Sequence, residues 1–307
     1  MSCPLRKFRK IEGGPVVGPG NNGRMTDAAA PDAAASDAAA PDARTVPPTP
    51  DGASRLRDRW AADRPALGIW TVLADPACVE LVGAAPFDYV CLDLQHGLAT
   101  FAELPALVTA LRSAGRSPVV RIPWNAPAEI MRALDQGACA VVVPMVNSAD
   151  DARRAVSACR YPPAGARSWG PTWGDVRPDA ALPPAEQDAG VLCLVMVETR
   201  EAVEALDEIL GVPGVDGVYI GPNDLALGCG YGRATYRDSP AVDALLTDVV
   251  TRCRAAGVVV GLHCSDVGMA AEWAGRGVRM LTVGQDSRLL RTALAGVRAD
   301  LDRLLPG

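Results

Sequence analysis

The sequence predicts a single (β/α)8 barrel of the α/β class, and three observations predict it. From Arg55 onward, short apolar runs of strand length alternate with longer stretches that carry apolar residues at helical spacing. Eight such units fit into about 250 residues, the count and length of that barrel. Neither a G-x-G-x-x-G after the first strand nor a P-loop occurs, which argues against a doubly wound nucleotide-binding sheet.

Residues 1–53 come first, with the near-repeat DAAAPDAAASDAAAPDA and almost no large apolar side chains after Phe8. Such a segment cannot bury enough surface to offset its ordering entropy, so it reads as a disordered tail, and residues 54–307 as the barrel. The expected strands are Ala66 to Val72, Phe87 to Leu94, Pro118 to Ile122, Cys139 to Val146, Val191 to Val197, Gly217 to Ile220, Val258 to His263 and Val278 to Val283. Between them lie helical stretches such as Ala102 to Ser113, Ala126 to Asp135, Ser148 to Cys159, Arg200 to Leu210 and Ala241 to Ala255. One long irregular connection, Tyr161 to Gly190, contains Arg167, Trp169 and Trp173. Loops of that length are usually functional and often lids.

Composition narrows the chemistry. Of 307 residues 49% are hydrophobic, and the net charge of −6 comes without arginine clusters, so nucleic acid and a polybasic membrane patch are both excluded as expected partners. Small molecules and copies of the chain itself remain. Nine cysteines without C-x-x-C spacing read as a reducing cytoplasm, and no apolar run reaches the roughly 18 residues of a membrane span. Lysine occurs only at Lys7 and Lys10, so Schiff-base chemistry would have to come from the tail.

The candidate site follows from the topology. Leu192 to Val197, the helical stretch after it, and Gly217 to Ile220 form a strand, helix, strand unit, so both strands run parallel. Glu198 ends the first strand and Asp224 follows the second, which puts two carboxylates at one sheet edge. Mg²⁺ or Mn²⁺ takes one or two carboxylates plus water and substrate oxygens. The bland alternative is that Glu198 caps a helix and Asp224 fixes a Gly-Pro turn. His96 stands just after the second strand and is the candidate base, with Asp93 as its orienting carboxylate. Arg121 ends the third strand, where its fork suits a carboxylate or an oxyanion; a salt bridge to Asp135 or Asp93 is the plain alternative. Structural roles are expected for His263 and Asp286.

The stretches FDYVCLDLQHG, VVRIPWNAPAEIMRALDQGACAVVVPMV, YPPAGARSWGP, VETREAVEALDEILGVPGVDGVYIGPNDLA and TVGQD together resemble the class II pyruvate aldolases of the HpcH/HpaI type, within the phosphoenolpyruvate/pyruvate barrel superfamily. The resemblance runs from about Leu67 to Leu290. It implies Mg²⁺, Mn²⁺ or Co²⁺ held by Glu198 and Asp224, His96 as base, Asp135 raising the basicity of that histidine, and Arg121 stabilising transition-state charge. It also implies a substrate pocket formed by Gly221, Asn223, Asp224 and the residue at Met196, and hexamers or trimers of barrels that exchange their eighth helices. The implied reaction is aldol cleavage of a 4-hydroxy-2-oxo acid to pyruvate and an aldehyde. Two departures stand out: Met196 replaces the glutamine many members carry, and Asp93-Leu94-Gln95-His96 replaces Asp-Gly-Glu-His. Two alternatives stay open, an acyl-CoA lyase of the citrate lyase β-like branch and an inactive keto-acid-binding barrel.

Overall fold

The computed structural model describes residues 52–170 and 172–305. The tail reading therefore lies outside the described residues, except at Gly52 and Ala53, which open a helix instead. The chain runs α1 (Gly52–Ala61), β1 (Ala66–Thr71), α2 (Pro76–Ala84), β2 (Tyr89–Asp93), α3 (Leu104–Ser113), β3 (Ser117–Arg121), α4 (Pro127–Asp135), β4 (Ala140–Val143) and α5 (Ala149–Cys159). It continues with α6 (Pro184–Ala189), β5 (Leu192–Val197), α7 (Arg200–Glu204), α8 (Leu206–Leu210), β6 (Gly217–Ile220), α9 (Pro222–Gly228) and α10 (Pro240–Ala255). Last come β7 (Val259–His263), α11 (Val267–Gly275), β8 (Met280–Gln285) and α12 (Asp286–Leu304).

The eight strands form a closed parallel barrel in sequence order, with β8 returning to β1. Strand ends fall within a few residues of the sequence expectation. The largest differences have local causes. The apolar run of the fourth strand reaches Val146, but β4 stops at Val143 because Pro144 offers no donor and Met145 adopts φ 55°. The single helix expected over Arg200 to Leu210 is two short helices that meet at Ala205.

Alternation along each strand divides the core. Outward residues such as Val90, Leu92, Val120, Val141, Val195, Ile220 and Leu262 pack against the surrounding helices. Inward residues such as Tyr89, Cys91, Val119, Val142, Leu192, Leu194 and Tyr219 fill the barrel, and Ala53 and Leu56 of α1 join them as a plug at the amino-terminal end. Fully burying one such Leu or Val contributes about 1.5–3 kcal/mol. The Tyr89 and Tyr219 hydroxyls both reach Thr282 Oγ1, at 3.0 and 2.6 Å, so the interior polar groups are satisfied.

Two features depart from an ordinary barrel. The long connection after α5 leads into β5, so it lies on the amino-terminal face, and the expectation of a lid over the strand carboxyl ends does not hold within one chain. In α12 only Asp286 is buried, and Leu290, Leu294, Val297, Leu301 and Leu304 are exposed at alternating spacings of four and three residues.

Candidate active site

The last inward residue of each strand lines the barrel mouth, and the polar ones collect there. Trp70, Asp93, Arg121 and His263 end or nearly end β1, β2, β3 and β7, while Glu198 and Gly221 stand one residue beyond β5 and β6.

Asp93 and Arg121 are register partners on adjacent parallel strands, so both side chains project inward side by side. Arg121 binds the carboxylate with both arms of its fork, Nε to Oδ1 at 2.9 Å and Nη2 to Oδ2 at 2.5 Å. The Trp70 indole N–H donates to Asp93 Oδ2 at 3.0 Å, and the backbone N–H groups of Gln95 and His96 donate to Oδ1 at 3.0 and 3.1 Å. Burial pushes the Asp93 carboxyl up, but the Arg121 bond and charge, with Trp70 and His96, outweigh it and hold the group below the ordinary range. Arg121 also lies 4.9 Å from the Trp70 ring centroid.

His96 follows in the turn after β2 and is exposed at the rim. The expectation that Asp93 orients its imidazole is corrected: Asp93 holds the His96 backbone, and its own charge is taken by Arg121. Asp135 also falls elsewhere. It ends α4, which returns the chain to the amino-terminal side, and its Oδ1 pairs with Arg167 at 2.7 Å. Within one chain Asp135 therefore does not meet His96, and Trp169, Trp173 and Arg167 do not shape the mouth.

Glu198 and Asp224 do converge. A Cβ placed on Gly221 would lie 3.3 Å from Glu198 Oε2, 3.4 Å from Asp224 Oδ2 and 3.2 Å from Met196 Cε. The two carboxylate oxygens thus face one small space that the missing side chain of Gly221 leaves open. Glu198 is buried, and its other oxygen accepts the Met145 N–H at 2.8 Å. Burial raises the Glu198 pKa, the Met145 bond lowers it, and the neighbouring Asp224 charge raises it again, leaving it above the ordinary value of 4.5. A desolvated carboxylate beside a like charge is a donor set that a divalent cation would satisfy, with water and substrate oxygens completing the shell. Among the described residues no group of three or more His, Cys, Asp and Glu forms a closed protein-only cage. Asn223 and Asp224 sit exposed in the first turn of α9.

Two contributors, Met145 and Trp70, escaped the sequence reading, and a third, His263, reaches the rim as its place at the end of the seventh strand suggests. Met145 has φ 55°, a costly conformation for a non-glycine residue, and it aims an N–H at Glu198. No sequence signal marks it. Trp70 bridges Asp93, Arg121 and His263, with its ring 5.2 Å from the His263 ring. His263, expected to be structural, belongs to the inner wall, and period-two counting along β7 places it there. Burial, followed by the nearby Arg121 charge, lowers its pKa to about 4, so its imidazole is neutral at physiological pH. Asp286 does have the expected structural role, accepting the Val72 and Leu73 N–H groups at 3.0 and 3.1 Å.

The family model for HpcH/HpaI aldolase/citrate lyase matches residues 66–293. The chain belongs to the HpcH/HpaI aldolase/citrate lyase family. Two curated relatives of this family member are a hydroxypyruvate/pyruvate aldolase of Rhizorhabdus wittichii, 36% identical over 80% of this chain and 98% of the relative, and a 4-hydroxy-2-oxo-heptane-1,7-dioate aldolase of Salmonella arizonae, 38% identical over 76% and 89%. Among solved structures, an HpcH/HpaI aldolase from Desulfitobacterium hafniense superposes with a TM-score of 0.74 at 32% identity, covering 82% of this chain and 98% of that one. With aldolase relatives at this identity, the family member is a carbon–carbon lyase.

Proposed function

We propose that this lyase cleaves a 4-hydroxy-2-oxo acid, either a 2-keto-3-deoxy sugar acid or a 4-hydroxy-2-oxo diacid, to pyruvate and an aldehyde, using Mg²⁺, Mn²⁺ or Co²⁺ held by Glu198 and Asp224. The observation that carries this reading is the convergence of Glu198 Oε2 and Asp224 Oδ2 on the space beside Gly221. When bound, the cation supplies positive charge against the substrate carboxylate and 2-oxo oxygen.

The chain's own residues do the rest. Asn223 and Asp224 place the substrate carboxylate, and Met196 and Gly221 bound the pyruvate half. His96 at the rim takes the 4-hydroxyl proton. The C3–C4 bond breaks, C4 leaves as the aldehyde, and the electron pair forms the C2–C3 double bond of an enolate with its charge on the former 2-oxo oxygen. Arg121 spends Nε and Nη2 on Asp93, and among the described residues its Nη1 has no hydrogen-bond acceptor, so one donor is left for that oxygen. Returning the proton from His96 to C3 gives pyruvate. The barrel domain, residues 54–307, contains no lysine, so it offers no iminium route of its own to compete with this one.

Pyruvate release from a panel of racemic 4-hydroxy-2-oxo acids tests the reading. Activity is expected to vanish in chelator and return with Mn²⁺; full turnover in chelator would contradict it.

The exposed stripe of α12 supports a homo-oligomer, a trimer or hexamer, in which each α12 covers a neighbouring barrel. Leu294, 60% exposed, lies mid-stripe. Light scattering on a Leu294→Asp, Val297→Asp chain is expected to give a smaller species than wild type, and an unchanged mass would rule out this arrangement.

A further inference from the structure

The amino-terminal face encloses a cavity of about 260 Å³ between α1, the starts of β3, β4 and β5, and the long connection before β5. Five arginines line it: Arg55, Arg112, Arg116, Arg167 and Arg177. Two have acidic partners. Arg112 grips Asp179 at 2.7 and 2.8 Å, and Arg167 binds Asp135 at 2.7 Å. Among the described residues the other three donate to neutral groups. Arg55 reaches the Gly115 carbonyl at 2.9 Å, and Arg116 the Gly83 carbonyl at 2.6 Å. Arg177 reaches the Gln136 carbonyl at 3.1 Å and the Thr109 hydroxyl at 3.0 Å.

The cavity also holds donors with nothing to donate to. Arg167 is 4% exposed, yet among the described residues its Nε has no hydrogen-bond partner, and the same is true of Arg55 Nε and the Trp173 indole N–H. Buried donors of this kind are rare, because each has given up water without replacement. Burial and the nearby Arg112 charge press the Arg177 pKa down, and the Asp179 charge offsets them only in part. The Arg177 guanidinium is held in place by the Trp173 ring, 4.1 Å from its centroid. It also lies close over the backbone of Gly137, where a Cβ would meet Nη1 at 2.7 Å. Positive charge, fixed forks and unused N–H groups together form a receptor for acceptor oxygens.

We propose that this cavity binds a small polyanion carrying phosphate or carboxylate groups, on the face of the barrel opposite the aldolase site. The volume suits an anion of pyrophosphate or tricarboxylate size and lies below that of usual drug-sized pockets, roughly 300–1,000 Å³. Its donors come from α1, from the loop before β3 and from the long connection, so one bound anion ties these three segments together.

Calorimetric titration of the metal-free full chain with inorganic pyrophosphate, and separately with tricarballylate, tests the proposal against potassium chloride at matched ionic strength. Saturable binding of at least one anion is expected, with a raised melting temperature. An Arg55→Gln, Arg177→Gln chain is expected to bind roughly tenfold more weakly or worse, about 1.4 kcal/mol or more. Asp224→Asn, in the barrel mouth, is expected to leave the affinity unchanged. Should the double variant not fold, Arg116→Gln, which loses one hydrogen bond, reads the same loss. Heats no larger than those of chloride for both anions, or arginine variants that titrate like wild type, would overturn it.

Discussion

The two ends of this barrel carry opposite residual charge. At the mouth, the carboxylates of Asp93, Glu198 and Asp224 gather beside the Arg121 guanidinium, two of whose three nitrogens are taken by Asp93. At the floor, five arginines share a cavity with three acids, Asp135, Asp179 and Glu186. The mouth is therefore short of positive charge and the floor short of negative charge. Between them the interior is apolar apart from the neutral hydroxyls of Tyr89, Ser117, Tyr219 and Thr282, so neither end can neutralise the other through the core. The same fold thus makes a cation-seeking site where strands end and an anion-seeking one where they begin.

Breaking the one saturated pair should have the largest effect. Arg121→Ala leaves Asp93 buried and unpaired, and is expected to cost about 3–5 kcal/mol in chemical denaturation as well as turnover. His96 lies outside that pair, and separates chemistry from stability. His96→Ala is expected to lower kcat by roughly 10²–10⁴-fold with stability within about 0.5 kcal/mol of wild type. If both fall together, His96 is part of the scaffold rather than the base.

Gly221→Ala sharpens the contrast by filling the gap between the acids. Its Cβ would crowd Met196 Cε at 3.2 Å, an adaptable group, so the expected stability loss is about 1 kcal/mol. Mn²⁺ affinity should fall clearly more than that of a chain altered at the floor.

The smallest effect is a difference in pH dependence between two neighbouring carboxylates. Asp93 has a folded pKa below its ordinary 3.8, so it stabilises the fold above that value and loses the contribution as pH falls through its depressed pKa. Glu198 has the opposite sign. Its folded pKa lies above 4.5, so ionisation costs stability as pH rises from 4.5 through that raised value. Metal-free Glu198→Gln is therefore expected to be more stable than wild type at neutral pH, with the advantage shrinking as pH falls toward and below 4.5. Thermal melts across pH 3 to 8 measure it.

Much of the mouth was legible from the sequence because parallel strands impose parity. Two strands joined by a helix end on one edge, which is enough to bring Glu198 and Asp224 together. The same parity places Asp135 and the Tyr161 to Gly190 connection on the other edge, since both precede a strand. Length alone suggested a lid, but connection type decides the face. Which partner Asp93 takes depended on register: directly opposite Arg121, it forms a forked pair in place of a bond to the His96 ring. The donor from Met145 had no signal at all, because its left-handed backbone is imposed by the surroundings and not by residue type.

Mn²⁺ binding followed by electron paramagnetic resonance tests the account most directly. Wild type is expected to bind one ion per chain, and Glu198→Gln and Asp224→Asn are each expected to lose it while remaining folded. If both variants hold Mn²⁺ as tightly as wild type, the two carboxylates do not share an ion and the proposed chemistry at the mouth fails.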